Sequence, residues 1–315
     1  MIQTILGANG QIGEELARAL HSNYTDKIRL VSRKPKRIHA TDELFAADLN
    51  DAKAASEAVK GSSIAYFTLG LPMDTDLWEQ QFPKITRNVI EACKEHGTKL
   101  AFFDNTYMYP QDGRVLTEET VFAPNGRKGK VRQEMAEMVL NEIAAGTLDA
   151  VICRAPEFYG PQKTQSITNS LLFDKVMAGE KLQVPLRDDT KRSLIWTPDA
   201  SRATALIGNT PEAYGQTWHL PIDASRPTYK NLIQKLSEAY QTNFSYSVIG
   251  KFKFRLGSLF KKSVRELQEL LPRYATDNIF SDDKFRKAFP DFQTTSFGEG
   301  IEIIKQEKEK AKLKS

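Results

Sequence analysis

The sequence predicts an α/β fold: a doubly wound parallel sheet, followed by a smaller α+β region. Three observations predict it. Short apolar runs alternate with helical patterns from Ile2 to Arg154, the order expected of βαβ units. The runs Ile2–Leu6 and Ala150–Cys153 are continuous rather than alternating, which suits strands buried on both faces. A glycine-rich segment joins the first run directly to the first helical pattern.

Taken in order, Ile2–Leu6 reads as a strand, followed by a glycine loop and a helix over 11–21. Residues 28–31 and 44–46 read as the second and third strands, with a helix over 52–60. Strands over 63–68, 100–104 and 150–154 are separated by helices over 77–96 and 129–145. Helices of that length between strands imply right-handed crossovers and parallel pairing. Beyond Arg154 the order is less regular. Helical patterns are expected at 166–178, ending at Gly179, then from 200 to 207, at 228–240 with Thr228 as cap, at 263–271 and at 296–305. Residues 217–220 read as a short strand.

Composition narrows the function. The chain has 315 residues, 40% hydrophobic and 27% charged, with a net charge of +4, the profile of a globular protein. That charge is too mild to argue for nucleic acid. The basic excess is partly local, at Lys251, Lys253, Arg255, Lys261, Lys262 and Arg265, and the sign-alternating run from Lys305 to Lys310, with little aromatic interleaving, reads as a solvated helix end. Cys93 and Cys153 each sit in an apolar pattern and read as buried, reduced thiols. No stretch approaches a membrane span, and with a strand beginning at Ile2 no signal peptide is expected, so a cytoplasmic location and no membrane partner are anticipated. The four histidines lack metal-ligand spacing, C-x-x-C is absent, and neither a nucleophile elbow nor a P-loop lysine occurs.

The segment Gly7-Ala8-Asn9-Gly10-Gln11-Ile12-Gly13 is G-x-x-G-x-x-G between a strand and a helix. The first glycine suits a tight turn, the second a close approach of diphosphate to backbone, and the third close packing of helix on sheet. Backbone N–H groups and the helix dipole would then face the phosphates. The expectation is a Rossmann domain binding NAD(P). The end of the second strand reads Ser32-Arg33-Lys34 where NAD-selective sites usually carry an acidic residue. A guanidinium pairs with a 2′-phosphate, so Arg33 points to NADP(H) over NAD(H). Asp48 and Leu49 are placed to meet the adenine, and Thr68-Leu69-Gly70 to meet the cofactor after the fourth strand.

With these residues the chain resembles the extended short-chain dehydrogenase/reductase family, the NAD(P)-dependent epimerases and dehydratases. The glycine loop matches, as does Ala47-Asp48-Leu49-Asn50. The segment from Arg154 to Pro161 is similar to the family's R-P-x-x-x-Y-G-P, Arg192–Ala200 to its pocket-lining element, and Phe292–Ile301 to its closing stretch. The resemblance implies a dinucleotide domain over 1–160 and a substrate-binding region over 161–315, with some elements returning to the sheet. By analogy, the helices over 77–96 and 129–145 would be available for a homodimer.

The chain departs from the family where chemistry is expected. The family uses a Ser or Thr with a Tyr and a Lys spaced Y-x-x-x-K on one helical face, the lysine lowering the tyrosine pKa. Here Lys128 and Arg132 occupy those places. Arg132 is expected to hold the nicotinamide ribose. Lys128 reads either as a buried proton donor or, more simply, as a solvated lysine. Thr106 or Asn105 would replace the polarising serine. Tyr107 either packs beside the pocket or supplies the lost acid. Asp104, Tyr159 and Arg192 are expected at a small-molecule substrate, with Arg192 on an anionic part of it. The leading expectation is an NADP(H)-dependent oxidoreductase or epimerase-like enzyme acting on a small carbonyl or hydroxyl compound, sugar-derived in the nearest analogy. A 4-keto epimerase mechanism is disfavoured without the tyrosinate. The alternative is an inactive NADP(H)-binding redox sensor or partner-binding protein.

Overall fold

The computed structural model describes Met1–Pro161 and Thr164–Lys312. The side chain of Lys308, inside the sign-alternating run, lies outside the described residues. In chain order the elements are β1 (Ile2–Leu6), α1 (Gln11–Asn23), β2 (Ile28–Ser32), β3 (Glu43–Ala46), α2 (Ala52–Val59), β4 (Ser62–Phe67), α3 (Thr75–His96), β5 (Lys99–Asp104), β6 (Val115–Leu116), α4 (Arg127–Ala144), β7 (Ala150–Arg154) and β8 (Glu157–Tyr159). There follow a π-helical turn (Asn169–Phe173), α5 (Asp174–Ala178), β9 (Leu182–Pro185), β10 (Leu194–Trp196), α6 (Thr197–Gly208), β11 (Thr217–His219) and α7 (Tyr229–Tyr240). The last are β12 (Tyr246–Ile249), α8 (Lys251–Phe260), α9 (Lys262–Leu267), a 3-10 segment (Gln268–Tyr274), β13 (Ile279–Phe280), α10 (Asp283–Ala288) and α11 (Phe297–Lys312).

The chain forms two compact units. The first comprises Met1–Met108, Phe122–Ala155 and Ala200–Leu220; the second comprises Tyr109–Val121, Pro156–Asp199 and Pro221–Ser315. In the first unit seven strands form one sheet in the order β11-β7-β5-β4-β1-β2-β3, and every pairing is parallel. This is the expected doubly wound Rossmann sheet. Winding reverses between β1 and β4, so the loops after those two strands open the crevice where such sheets bind ligands. Phe67, Phe82, Val89, Leu100, Phe102, Met135, Val139 and Ile152 share one buried cluster beneath α3 and α4. Their helices present apolar residues at three- and four-residue spacing, which places them on one face. Asp74 caps α3 by accepting from the Leu77 amide, and Gly97 ends it in the left-handed conformation. The segment from Ala200 returns to this unit: the Ser201 hydroxyl donates to the Ile12 carbonyl at 3.2 Å, and β11 extends the sheet beside β7.

Among the described residues, the second unit has three two-stranded parallel ladders, β8 with β10, β9 with β12 and β6 with β13. Its core gathers Tyr159, Leu172, Leu194, Trp196, Leu232, Leu236 and Ile301. Two expected helices differ. The pattern over 166–178 forms a π-helical turn that hands over to α5 at Asp174, with Gly179 ending it as expected. The pattern over 263–271 is α only to Leu267 and then 3-10, because Pro272 lacks an amide donor and disfavours α geometry in the residue before it. Thr228 does cap α7, reciprocally with Asn231. Helix α8, over the basic cluster, was not expected. Its Lys-Phe-Lys-Phe alternation has the period of a strand.

Candidate functional site

The glycine loop follows β1 at the point where the sheet reverses. Gly7 has φ +94°, and a side-chain carbon there would lie 2.6 Å from the Leu69 Cα. The amides of Gly7 and Ala8 both donate to the Val31 carbonyl at 3.0 Å, which fixes the turn. At Gly13 an added carbon would lie 2.8 Å from both the Ala8 Cα and the Gly7 carbonyl oxygen. Both positions therefore require glycine for packing alone. Gly10 differs: its nearest obstruction is the Gly7 carbonyl at 3.3 Å, then the Thr68 carbonyl at 3.9 Å. No side chain caps α1 at Gly10. The result is a bare concavity at a helix N-terminus, a cradle that an added methyl would fill, and it fits a diphosphate. Thr68 has its hydroxyl turned onto the Leu6 carbonyl at 3.1 Å. Gln11 and Ile12 form the first turn of α1, with Ile12 buried.

The specificity segment is fastened to this loop by Asn9. Its side-chain amide donates to the Lys34 carbonyl at 2.7 Å and accepts from the Lys36 amide at 3.1 Å. Asn9, expected to contact cofactor, is thus also a clamp that positions the segment carrying Arg33. The Ser32 hydroxyl accepts from the Lys34 amide at 3.2 Å, and Arg37 turns inward onto the Ala40 and Asp42 carbonyls. Arg33, Lys34 and Lys36 are exposed. Asp48 accepts from the backbone and side-chain amides of Asn50, and these bonds hold its carboxyl below the usual range, aided by the charge of Arg33. Leu49 is buried in the core.

At the C-terminal end of β5 the geometry departs from the sequence reading. Asp104 is buried between two arginines. One oxygen accepts from Arg132 Nε at 3.1 Å and Nη2 at 2.5 Å; the other accepts from Arg154 Nε at 3.1 Å. The Arg132 guanidinium also lies against the rings of Phe82 and Phe102, at 5.4 and 5.8 Å. Arg132, expected at the ribose, is thus engaged by Asp104, and Asp104, expected at substrate, by arginines. Sequence reasoning did not single out Arg154 as a partner; nothing local in the chain marks a contact between residues fifty positions apart.

Lys128 is only 1% exposed, which corrects the reading of a solvated lysine. It sits in the first turn of α4, and its ammonium donates to the Thr75 hydroxyl at 2.7 Å. Burial follows from the close seating of α4: a carbon added at Gly129 would lie 2.7 Å from the Tyr107 carbonyl and 2.8 Å from the Pro124 side chain. Tyr107 stacks on Trp78 with centroids 6.0 Å apart. Its amide donates to Asn105 Oδ1 at 2.9 Å. Thr106 is buried. Lys128, Arg132, Asp104, Asn105, Thr106 and Tyr107 all belong to the first unit.

Tyr159 and Arg192 belong to the second unit. Tyr159 stacks on Phe297 at 4.6 Å, and burial raises its pKa well above the ordinary value. Its hydroxyl has no hydrogen-bond partner among the described residues. Arg192 donates to the Arg273 carbonyl at 2.5 Å, lies over the Tyr274 ring at 4.4 Å and faces Glu157 at 3.6 Å. Glu157 in turn accepts from Thr168 and from the Tyr274 hydroxyl. Among the described residues no group of three or more His, Cys, Asp or Glu could hold a metal ion, and no helix is long and apolar enough to cross a membrane.

The profile of the NAD dependent epimerase/dehydratase family matches residues 3–220, and the chain belongs to that family, as an extended short-chain dehydrogenase/reductase. A curated relative, an uncharacterized protein of Sinorhizobium fredii (strain NBRC 101917 / NGR234), is 23% identical over 266 residues, 78% of this chain and 74% of its own. Among solved structures, UDP-glucuronic acid 4-epimerase from Bacillus cereus in complex with NAD aligns with a TM-score of 0.79 at 14% identity, covering 99% of each chain. UDP-glucose 4-epimerase from Thermus thermophilus, also with NAD, aligns at 0.78 and 14% identity over 99% of this chain and 100% of its own. MoeE5 in complex with UDP-glucuronic acid and NAD aligns at 0.78 and 16% identity over 100% of both. At these identities the likeness is one of fold.

Proposed function

We propose that the chain is an NADP(H)-dependent oxidoreductase or epimerase-like enzyme acting on a small, sugar-derived carbonyl or hydroxyl compound, with Lys128 in the place of the family tyrosine. The observation that carries this reading is the buried ammonium of Lys128, held by Thr75 in the first turn of α4. A buried, positioned N–H donor at that point meets the requirement of a proton donor to a substrate oxygen. The diphosphate would rest on the backbone of Gly7–Gly13, with Asp48 and Leu49 toward the adenine and Thr68-Leu69-Gly70 along the other wall. Arg33 would pair with the 2′-phosphate, since Ser32 sets no negative charge against it. When bound, the nicotinamide supplies or accepts the hydride. Asn105 or Thr106 would hydrogen-bond the reacting oxygen, and Lys128 would hold or deliver its proton. Arg132, fixed by Asp104, would support the helix on which Lys128 stands. The solved neighbours, complexes with NAD and, in MoeE5, with UDP-glucuronic acid as well, support a dinucleotide and a sugar-derived substrate. The preference for NADP(H) rests on Ser32-Arg33-Lys34 alone.

A second reading is favoured by one observation: Arg132 is already engaged by Asp104, and α4 carries no tyrosine beside it. On that reading the protein binds NADP(H) without turnover and acts as a redox sensor or partner-binding module. Calorimetry with NADPH and NADH, followed by NADPH oxidation with a panel of aldehydes and ketones and NADP+ reduction with a panel of UDP-sugars, tests both. Tighter NADPH binding with turnover supports the enzyme. Binding without turnover on any member of the panel supports the sensor, and tighter NADH binding overturns the 2′-phosphate assignment.

A further inference from the structure

Helix α8 carries two opposed apolar faces. Phe254 is buried within the second unit, and its carbonyl accepts from Gln268 Nε2 at 2.9 Å. On the other side Phe252, Leu256, Leu259 and Phe260 are 77%, 48%, 73% and 81% exposed. Their spacing of four, seven and eight residues sets them in one stripe. At about 100° per residue, Lys253 and Arg255 border that stripe on either side. From Lys251 to Arg265 the chain carries six cations and no carboxylate, and all six are exposed. Four large apolar side chains in water are costly to solubility and have no internal role, so something of matching chemistry is expected to cover them.

We propose that this face docks the protein on an anionic phospholipid surface, with α8 lying in the plane of the interface. An interfacial helix has this construction: an apolar stripe entering the headgroup boundary, bordered by lysine and arginine that meet anionic headgroups. A second copy of the chain is a poorer occupant, because a two-fold contact through this stripe would set the like charges of both copies together. Single-stranded nucleic acid is poorer too, because Leu256 and Leu259 gain from hydrocarbon and offer no stacking surface. This contact is peripheral and needs no spanning segment.

The test is co-sedimentation of the full chain with phosphatidylcholine vesicles, with and without phosphatidylglycerol, at low and high salt. The chain is expected to pellet with the anionic vesicles, less so as salt rises, and to stay in solution with phosphatidylcholine alone. Lys253→Gln with Arg255→Gln should weaken partitioning about thirtyfold, from the loss of two cations. Phe252→Ser with Phe260→Ser should abolish it at either salt. Both pairs are at exposed positions, and unchanged thermal midpoints and NADPH binding would show that each variant is folded. The proposal is overturned if the wild-type chain stays in solution with anionic vesicles, if it binds neutral vesicles equally, or if the variants bind as well as wild type. Self-association, or capture of a single-stranded oligonucleotide, that is lost with the phenylalanines in the absence of vesicle binding overturns it in favour of those occupants.

Discussion

Arg132 and Asp104 are joined twice, Nε at 3.1 Å and Nη2 at 2.5 Å from the same carboxylate oxygen, while Arg154 takes the other oxygen. All three side chains are almost fully buried. Asp104→Ala would remove the carboxylate shared by two buried guanidinium groups. Breaking a buried pair in this way costs about 3–5 kcal/mol. A fall of that size in unfolding free energy by urea titration is expected; a change below about 1 kcal/mol would mean that solvent reaches the arginines.

Packing and phosphate approach, two roles of the glycine loop, separate by substitution. Gly13→Ala forces a carbon to 2.8 Å from the backbone of both Gly7 and Ala8 and should destabilise the fold by about 1–3 kcal/mol through overpacking. Gly10→Ala meets nothing closer than 3.3 Å, so it should cost less than about 1 kcal/mol of stability. Its methyl nonetheless fills the phosphate cradle. The expected outcome is a near-normal thermal midpoint with cofactor binding reduced below detection by calorimetry.

Lys128→Met keeps the volume of the side chain and removes the buried donor to Thr75. On the enzymatic reading, turnover should fall about 10²- to 10⁴-fold, the range for a general acid, with NADPH affinity kept. Turnover equal to wild type on an accepted substrate would remove Lys128 from the chemistry.

Arg33→Asp should weaken NADPH relative to NADH by about tenfold or more, the worth of a charge-assisted hydrogen bond. Paired calorimetric titrations measure it. Parallel weakening of both cofactors would mean that Arg33 acts on the shared diphosphate region instead.

Alkaline pH should destabilise the first unit. Burial pushes the Cys93 thiol from 9.0 to about 12 and raises Cys153 and Tyr66 as well. These groups stay protonated when folded, while the unfolded chain releases their protons at ordinary values. The folded state then binds more protons, so stability is intact below about 9 and is lost as pH rises toward about 12. Thermal midpoints taken at increasing pH should decline across that window. Thiol reagents should label both cysteines only on unfolding.

Much of this was legible in the chain. The glycine spacing between a strand and a helix located the cradle, because a tight turn and two close backbone approaches are local demands. The parallel sheet followed from continuous apolar runs separated by helices. Lys128 was harder. A lysine before a helix usually faces water, and its burial depends on Gly129 seating α4 against Tyr107 and Pro124, which no local pattern announces. Helix α8 escaped because the Lys-Phe-Lys-Phe alternation at its start has the period of a strand.

The sequence by itself determined the winding of the sheet, the place of the glycine loop, the charge after β2 and the absence of the Tyr-x-x-x-Lys pair from α4. Each rests on neighbours a few positions apart, where covalent geometry and side-chain period act directly. The tertiary structure alone decided that Asp104 serves Arg132 and Arg154, that Thr75 receives Lys128, and that Asn9 ties the loop to the segment bearing Arg33. These contacts join residues 25 to 53 positions apart, and a buried charge selects its partner only once packing has excluded water around it.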